Sequence, residues 1–235
     1  MALPKLNTPT YTMTIPSSKK DVKYRPYLVK EEKILMIAME SEDGLQINDA
    51  IRDVIKDCTF GELDTSKLTM FDVEFIFTRL RAKSVGESST VMVPCTKCEE
   101  PNEATINLET DLIVGDVPPN RIELTSDTGL IMKYPSMVDY IELSAEADTT
   151  EVDKVFALVA RSIESVYSGD DVFDADSQTR EEMVEFVENL SSEQFVKVKE
   201  YLDNMPQAKV DAKFKCQKCN HDNVVELRGL RNFFS

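Results

Sequence analysis

The chain has 235 residues, is 42% hydrophobic and carries a formal net charge of -16. It can bury an ordinary core without disulfides, and it shows neither a secretory leader pattern nor a window near the roughly 18 to 20 apolar residues of a membrane span. The acidity argues against nucleic acid partners, whose binding rests on Lys and Arg releasing counterions, and favours basic or mixed protein surfaces. A soluble protein of a reducing cytosol is therefore expected, and its five cysteines read as metal ligands or redox thiols rather than disulfides.

Near the N-terminus Tyr11, Met13 and Ile15 alternate, "PSSKKD" interrupts, and "VKYRPY" resumes the pattern, which predicts a β-hairpin. "LVKEEKILMIAMES" and "LQINDAIRDVIKDC" read as helices, the second aligning Ile47, Ile51, Val54 and Ile55 on one face. "TMFDVEFIFTRLRAKSVG" fits a strand in its middle, but its length and the Thr69/Asp72 pair at box spacing favour a helix ending near Gly86. The period then falls to two. Val91 with Val93, Thr105 to Leu108, Arg121 to Thr125 and Leu130 to Tyr134 read as strands.

Helices resume at Pro135-Ser136. A Thr150/Asp153 box precedes the stripe Val152, Val155, Phe156, Val159, Ile163 and Val166, and further boxes begin at Thr179 and Ser191. Three amphipathic helices are expected over 150 to 204, around the polar linker "SGDDVFDADSQ". Residues 136 to 207 hold 18 Asp and Glu against 5 Lys and Arg, so most of the negative charge sits in this one module. The last segment, "KVDAKFKCQKCNHDNVVELRG", returns to period two.

The chemistry-bearing pattern is a pair of knuckles. Cys95-Thr96-Lys97-Cys98 and Cys216-Gln217-Lys218-Cys219 each carry a Lys between the cysteines, an Asn seven places after the first Cys (Asn102, Asn223) and an apolar residue two places before it (Val93, Phe214). Two strand-knuckle-strand units of one design predict a zinc-ribbon-like site in which Cys95, Cys98, Cys216 and Cys219 hold one Zn²⁺. Four protein sulfurs leave no position for water or substrate, so this zinc is expected to be structural. It would tie together residues 121 positions apart. The position after the second Cys often needs φ > 0; here it is Glu99 or Asn220, and Asn takes that conformation more easily than Glu.

Other chemistry is sparse. His221, the single histidine, reads as a solvated turn residue, and Cys58 as a buried helix cysteine. Asp174, Asp176 and Glu185 echo a calcium loop but lack its turn glycine. No phosphate-cradling loop, zinc-protease helix or nucleophile elbow occurs.

Several segments together resemble a known family. "MALPKLNTPTY", "IPSSKKDVKYRPYLVKEEKILMIAMES", "KDCTFGELDTSKLTMFDVEFIFTRLRAKSVGE", the knuckle at Cys95 and Cys98, and "MKYPS" at Met132 to Ser136 are similar to the baseplate hub and hub-assembly proteins of T4-type contractile-tailed bacteriophages, the gene twenty-six and gene fifty-one products and their relatives. Specific similarity covers the first 135 residues; beyond them it rests on acidic helices closed by a cysteine-bearing tail.

The resemblance implies a non-enzymatic tail protein that builds, or forms part of, the central hub by protein-protein interaction. It would act in the host cytoplasm during assembly or reside in the virion baseplate, with other hub or tail proteins as partners and no nucleic acid, membrane or small-molecule substrate. Charge asymmetry points to the hairpin residues Lys19, Lys20, Lys23 and Arg25, and to the acidic helices, as partner-binding faces. Two other readings compete: an acidic mimic occupying a basic partner surface, and a hydrolase using carboxylates around Asp170 to Asp176.

The expected fold class is α+β. It comprises an N-terminal hairpin with helices (1–86), a ribbon-like β region (87–135 with 208–235) and an inserted acidic helical module (136–207).

Overall fold

The computed structural model describes residues 7–146 and 149–228. The outer ends of the expected 1–86 and 208–235 segments, the start of "MALPKLNTPTY", and residues 147 and 148 lie outside the described residues. In chain order the strands and helices are β1 (Tyr11–Thr14), β2 (Asp21–Tyr24), α1 (Val29–Glu40), α2 (Gly44–Cys58), α3 (Met70–Ser84), β3 (Ser88–Pro94), β4 (Pro101–Asn107), β5 (Leu112–Val114), β6 (Arg121–Glu123) and β7 (Thr128–Met132). There follow α4 (Met137–Ala145), α5 (Glu151–Arg161), β8 (Ile163–Ser168), β9 (Asp171–Asp174), a 3-10 turn (Ala175–Ser177), α6 (Arg180–Glu188), α7 (Ser192–Asp203), β10 (Ala208–Lys215) and β11 (Asp222–Arg228). The class is α+β, with the hairpin at the N-terminus as expected.

The described chain divides into two compact units: residues up to 65, 71–115 and from 207 onward form the first, and residues 66–70 with 116–206 form the second.

In the first unit, β1 and β2 pair antiparallel with Tyr11 opposite Tyr24. Helix α2 is capped by Asp43, whose carboxylate accepts from the Leu45 N–H at 2.9 Å, and it buries Ala50, Ile51, Val54, Ile55 and Cys58 along one face. The ambiguous stretch around Phe75 is helical. Phe71, Val73, Ile76, Phe77 and Leu80 are all buried in α3, a helical recurrence that strand alternation would have split between two faces. Glu74 on α3 reaches the start of β10; burial pushes its carboxyl up to about 7, against the pull of the Ala208 N–H.

The link from β2 to α1 is fastened by backbone and side-chain hydrogen bonds. The Arg25 N–H donates to the Cys58 carbonyl at 2.9 Å, and the Tyr27 N–H donates to Ser84 Oγ at 2.9 Å. The Arg25 guanidinium pairs with Glu31 at 2.9 Å, and the second Glu31 oxygen accepts the Leu28 N–H at 2.8 Å. Burial pushes the Glu31 carboxyl up, but Arg25, the Leu28 N–H and Lys30 outweigh it and bring it down to about 2.

The rest of the first unit is two antiparallel hairpins. β3 pairs with β4, and β10 pairs with β11 on one side and β5 on the other. β4 lies against β10. Inward-facing Val91, Val93, Ala104, Ile106, Val210 and Ala212 form their shared core, with Ala82 of α3. Alternation in the sequence thus becomes one buried face per strand. β5 has only three residues and carries no readable period.

The second unit is a four-stranded antiparallel sheet, ordered β6-β7-β8-β9, with α4 to α7. Its core gathers Leu130, Met132, Val159, Ile163, Val187 and Val198. Three helices do occupy 150 to 204, and the boxes at Thr150, Thr179 and Ser191 all close; Ser136 with Asp139 makes one more. The stripe read on to Ile163 and Val166, however, leaves the helix. α5 stops at Arg161, and Ile163 to Ser168 pairs with β7 while Asp171 to Asp174, inside the expected linker, pairs with β8. At Gly129 of β7 a Cβ would lie 2.1 Å from Tyr167 Oη and 2.4 Å from the Ile122 carbonyl oxygen, so the sheet closes there only around a residue without a side chain.

Candidate metal centre

Each knuckle is the turn of one hairpin: Cys95 to Cys98 joins β3 to β4, and Cys216 to Cys219 joins β10 to β11. The two turns are built alike. The Cys95 N–H donates to the Glu100 carbonyl at 2.8 Å and the Glu99 N–H to the Cys95 carbonyl at 2.9 Å; in the other turn Cys216 donates to His221 at 2.9 Å and Asn220 to Cys216 at 3.0 Å. Glu99 at φ 58 and Asn220 at φ 55 both take the left-handed conformation. Asn carries this with little strain and Glu at some cost, since left-handed backbone disfavours a Cβ.

The structure brings all four sulfurs together within 4.8 Å of one another. Cys95 Sγ lies 3.7 Å from Cys219 Sγ and Cys98 Sγ lies 3.6 Å from Cys216 Sγ, so each knuckle's sulfurs closely approach those of the other. A sulfur tetrahedron around zinc, with bonds of about 2.3 Å, has edges of about 3.8 Å. The separations are therefore compatible with Zn²⁺ at the centre, and they exceed the roughly 2.05 Å of a disulfide. Cys95 and Cys216 are buried, Cys98 and Cys219 half-buried.

The paired asparagines, visible in the sequence only as matching flanks, prove to be exchanged. Asn102 of β4 pairs with Val93 of β3 but serves the other knuckle: its Oδ1 accepts the Gln217 N–H at 2.9 Å and its Nδ2 faces Cys216 Sγ at 3.7 Å. Asn223 of β11, paired with Phe214 of β10, returns the exchange. Its Oδ1 accepts from the Thr96 N–H at 2.9 Å and from Thr96 Oγ1 at 2.7 Å, and its Nδ2 faces Cys95 Sγ at 3.5 Å. Both side chains are buried, so each holds one hairpin against the other and points a positive dipole at a sulfur. Lys218 and Glu100 add an exposed ion pair at 2.6 Å between the two turns.

The sulfurs differ electrostatically. Burial opposes ionisation of Cys95, but the N–H groups of Lys97 and Cys98 and the Asn223 amide pull its thiol down to about 6. The Cys219 N–H, acting against burial, lowers Cys216 as well. At Cys98 the Glu100 N–H pulls down, yet burial and the three neighbouring sulfurs push the thiol up to about 12. Four thiolates so close together need a cation among them, and a divalent metal is the fitting replacement for their protons. Replacing Asn102 or Asn223 by Ala is expected to weaken metal binding roughly 10- to 100-fold while leaving the four-sulfur shell intact. Competition with a chromophoric chelator reads this directly.

The other candidates fall elsewhere. His221 is exposed and outside the cluster; Cys58 is fully buried in α2, and burial pushes its thiol up to about 11, against Arg25. Asp170, Asp171, Asp174 and Asp176 lie exposed around the β8–β9 hairpin, with Asp176 paired to Lys133 at 3.5 Å, while Glu185 sits on α6. The second unit also has a cleft of about 700 Å³. Arg161 on its wall pairs with Glu142 at 2.9 Å, Asp139 at 3.5 Å and Glu146 at 3.7 Å. Lys19, Lys20 and Lys23 are exposed on the hairpin, whereas Arg25 is largely covered and engaged with Glu31. No helix among the described residues is long and apolar enough to cross a membrane.

Fold and site together define a two-hairpin, four-cysteine β ribbon that carries helices at one end of its sequence and a large inserted unit in its middle. The chain belongs to the T4 bacteriophage base plate protein family, whose sequence profile matches residues 8–235. The match extends past the first 135 residues, to which the specific motifs are confined, and takes in the inserted unit and the second knuckle. No curated protein and no solved structure matches the chain. Membership makes it a phage baseplate protein of structural type, implies other tail or baseplate proteins as its partners, and suggests the virion tail as its place.

Proposed function

We propose that the chain builds, or forms part of, the central hub of the baseplate, and that it does so without catalysis, on a scaffold closed by one structural Zn²⁺ held by Cys95, Cys98, Cys216 and Cys219. The observation that carries the scaffold is the convergence of four sulfurs from two distant hairpins, at separations matching a tetrahedral shell. All four positions are filled by protein, which suits a metal that fixes shape rather than one that activates water. Family membership supports a baseplate role, and the placement in the hub rests on the resemblance carried by the motifs of the first 135 residues. Assembly would take place in the host cytoplasm.

In this reading the exposed lysines Lys19, Lys20 and Lys23 form one partner face and the acidic inserted unit another, with charge guiding encounter and register more than final affinity. Arg25, expected as part of the basic face, contributes by holding Glu31 and thereby the hairpin's base. In cells infected with phage carrying Lys19→Glu, Lys20→Glu and Lys23→Glu together, tails are expected to stall before the hub is complete. Normal hub assembly in that strain would remove the lysine face from the proposal. Mass spectrometry of purified virions and of isolated hubs tests the role itself: peptides of this chain, or its requirement for hub formation, support it. A phage lacking the chain that still makes hubs would refute it.

A further inference from the structure

Helix α1 turns only Glu31, Leu35 and Ala38 to the core of its unit. The rest of its surface is unusually apolar for an exposed helix: Val29 is 79% exposed, Met36 59%, Ile37 56%, Ile34 44% and Met39 42%. An isolated exposed apolar residue needs no explanation, but five on one short helix, interleaved with a few charged residues, form a surface of the kind that marks an interface. Two of them are methionines, whose flexible side chains fit a packed contact readily.

The charges in this patch indicate what covers it. Val29, Lys33, Met36 and Glu40 follow one another at offsets of four, three and four, so they form a single line along the helix, with Ile37 on one flank and Met39 on the other. On this line the basic residue, Lys33, is in the first half and the acidic one, Glu40, at the far end; Lys30, paired with Glu31 at 3.0 Å, and the exposed Glu32 lie to either side of it. Such a line is complementary to itself when reversed. A two-fold axis passing between Met36 and Ile37 sets Lys33 of each copy opposite Glu40 of the other, packs the Met36 and Ile37 side chains at the centre, and runs the two helix dipoles antiparallel. A parallel arrangement would stack like charges instead.

We propose that α1 is a homodimerisation helix, and that two copies of the chain associate through antiparallel crossing of their α1 helices. The contact does not involve the cysteines and does not rest on the hub assignment.

Sedimentation equilibrium of the full chain, from about 1 to about 100 µM, tests it. The wild-type chain is expected to show a reversible monomer–dimer equilibrium, and Met36→Asp to be monomeric with an unchanged circular dichroism spectrum. Lys33→Glu and Glu40→Lys each place two like-charged pairs in the contact and should weaken the dimer about tenfold. Mixed in equal amounts, those two variants form a heterodimer in which both contacts between positions 33 and 40 again join opposite charges, one of them in reversed order. Association should then return to at least wild-type strength. That rescue is specific to self-association through this line of residues. A chain that stays monomeric throughout, as it would if another tail protein or the chain's own residues covered α1, overturns the proposal. So does a dimer indifferent to the three substitutions, or a mixture no tighter than its components.

Discussion

Stripping a bound zinc ion, or replacing Cys216 by Ser, is expected to unfold the paired hairpins of the first unit and to lower the melting temperature by roughly 10 to 20 °C, the equivalent of about 5 kcal/mol in a chain of this length. Apparent binding energies of structural zinc run to about 10 to 16 kcal/mol, as large as the whole net stability of many domains. The local structure shows why little would remain. β3 and β4 meet β10 and β11 over a core in which Ala82, Ala104, Ala208 and Ala212 are prominent, and small side chains bury little apolar area. Without a cation, the sulfurs also face one another at 3.6 and 3.7 Å with nothing to offset the charge of any that ionise. Chelation should be reversible on adding zinc back, whereas Cys216→Ser should not recover. Cys58→Ala is the control: that cysteine is buried in α2, far along the chain from both knuckles, and its loss should leave metal content unchanged. A melting curve indifferent to chelator would mean that the knuckles close without help.

The second large effect concerns Arg25. Replacing it by Ala is expected to destabilise the first unit by about 3 to 5 kcal/mol, because it leaves a buried carboxylate without its main partner. Glu31 is 1% exposed and retains only the Leu28 N–H and Lys30, whose side chain is itself 65% exposed. The pH dependence has a definite sign. The folded Glu31 carboxyl is held at about 2, below its unfolded value, so its stabilising contribution is fully present above pH 4.5 or so and is lost as pH falls toward 2. In Arg25→Ala that contribution disappears, and the gap between variant and wild type should narrow in acid. Arg25→Ala combined with Glu31→Gln should recover part of the loss at neutral pH, since no charge is then stranded. Urea unfolding of the wild type, the two single variants and the double variant between pH 3 and 7 measures all of this. Equal losses from Arg25→Ala and the double variant would show that Arg25 acts through packing alone.

Much of the ribbon was legible because its signals are local and repeated. Two C-x-x-C turns, strands of period two and an Asn at the same offset in each hairpin all occur within short windows of sequence, and the structure uses every one of them. The exchange of the asparagines between hairpins was not legible, since spacing shows that two residues share a role without showing that each performs it for the other hairpin. The helices at 151–161, 180–188 and 192–203 were announced by boxes that close on their own backbone.

The β8–β9 hairpin was hidden for two reasons. Ile163 and Val166 continue the stripe of α5 without a break, and all four side chains of β9 are exposed, so burial wrote no pattern there. What stops α5 is its Ser162 cap and the pairing partner offered by β7, and the latter is a long-range fact. Arg25 misleads for a similar reason: in "KKDVKYR" it looks like one more surface charge, and only the fold delivers Glu31 to it. The apolar residues of α1 were plain in the sequence, but which of them stay outside depends on how narrow a face the rest of the unit covers.

The most direct test of the proposed scaffold is X-ray absorption at the zinc edge on the purified chain, with the metal quantified in the same sample. One zinc per chain surrounded by four sulfurs at about 2.3 Å is the expected result. A protein free of metal, or a zinc whose shell contains nitrogen, oxygen or a second metal, would contradict it.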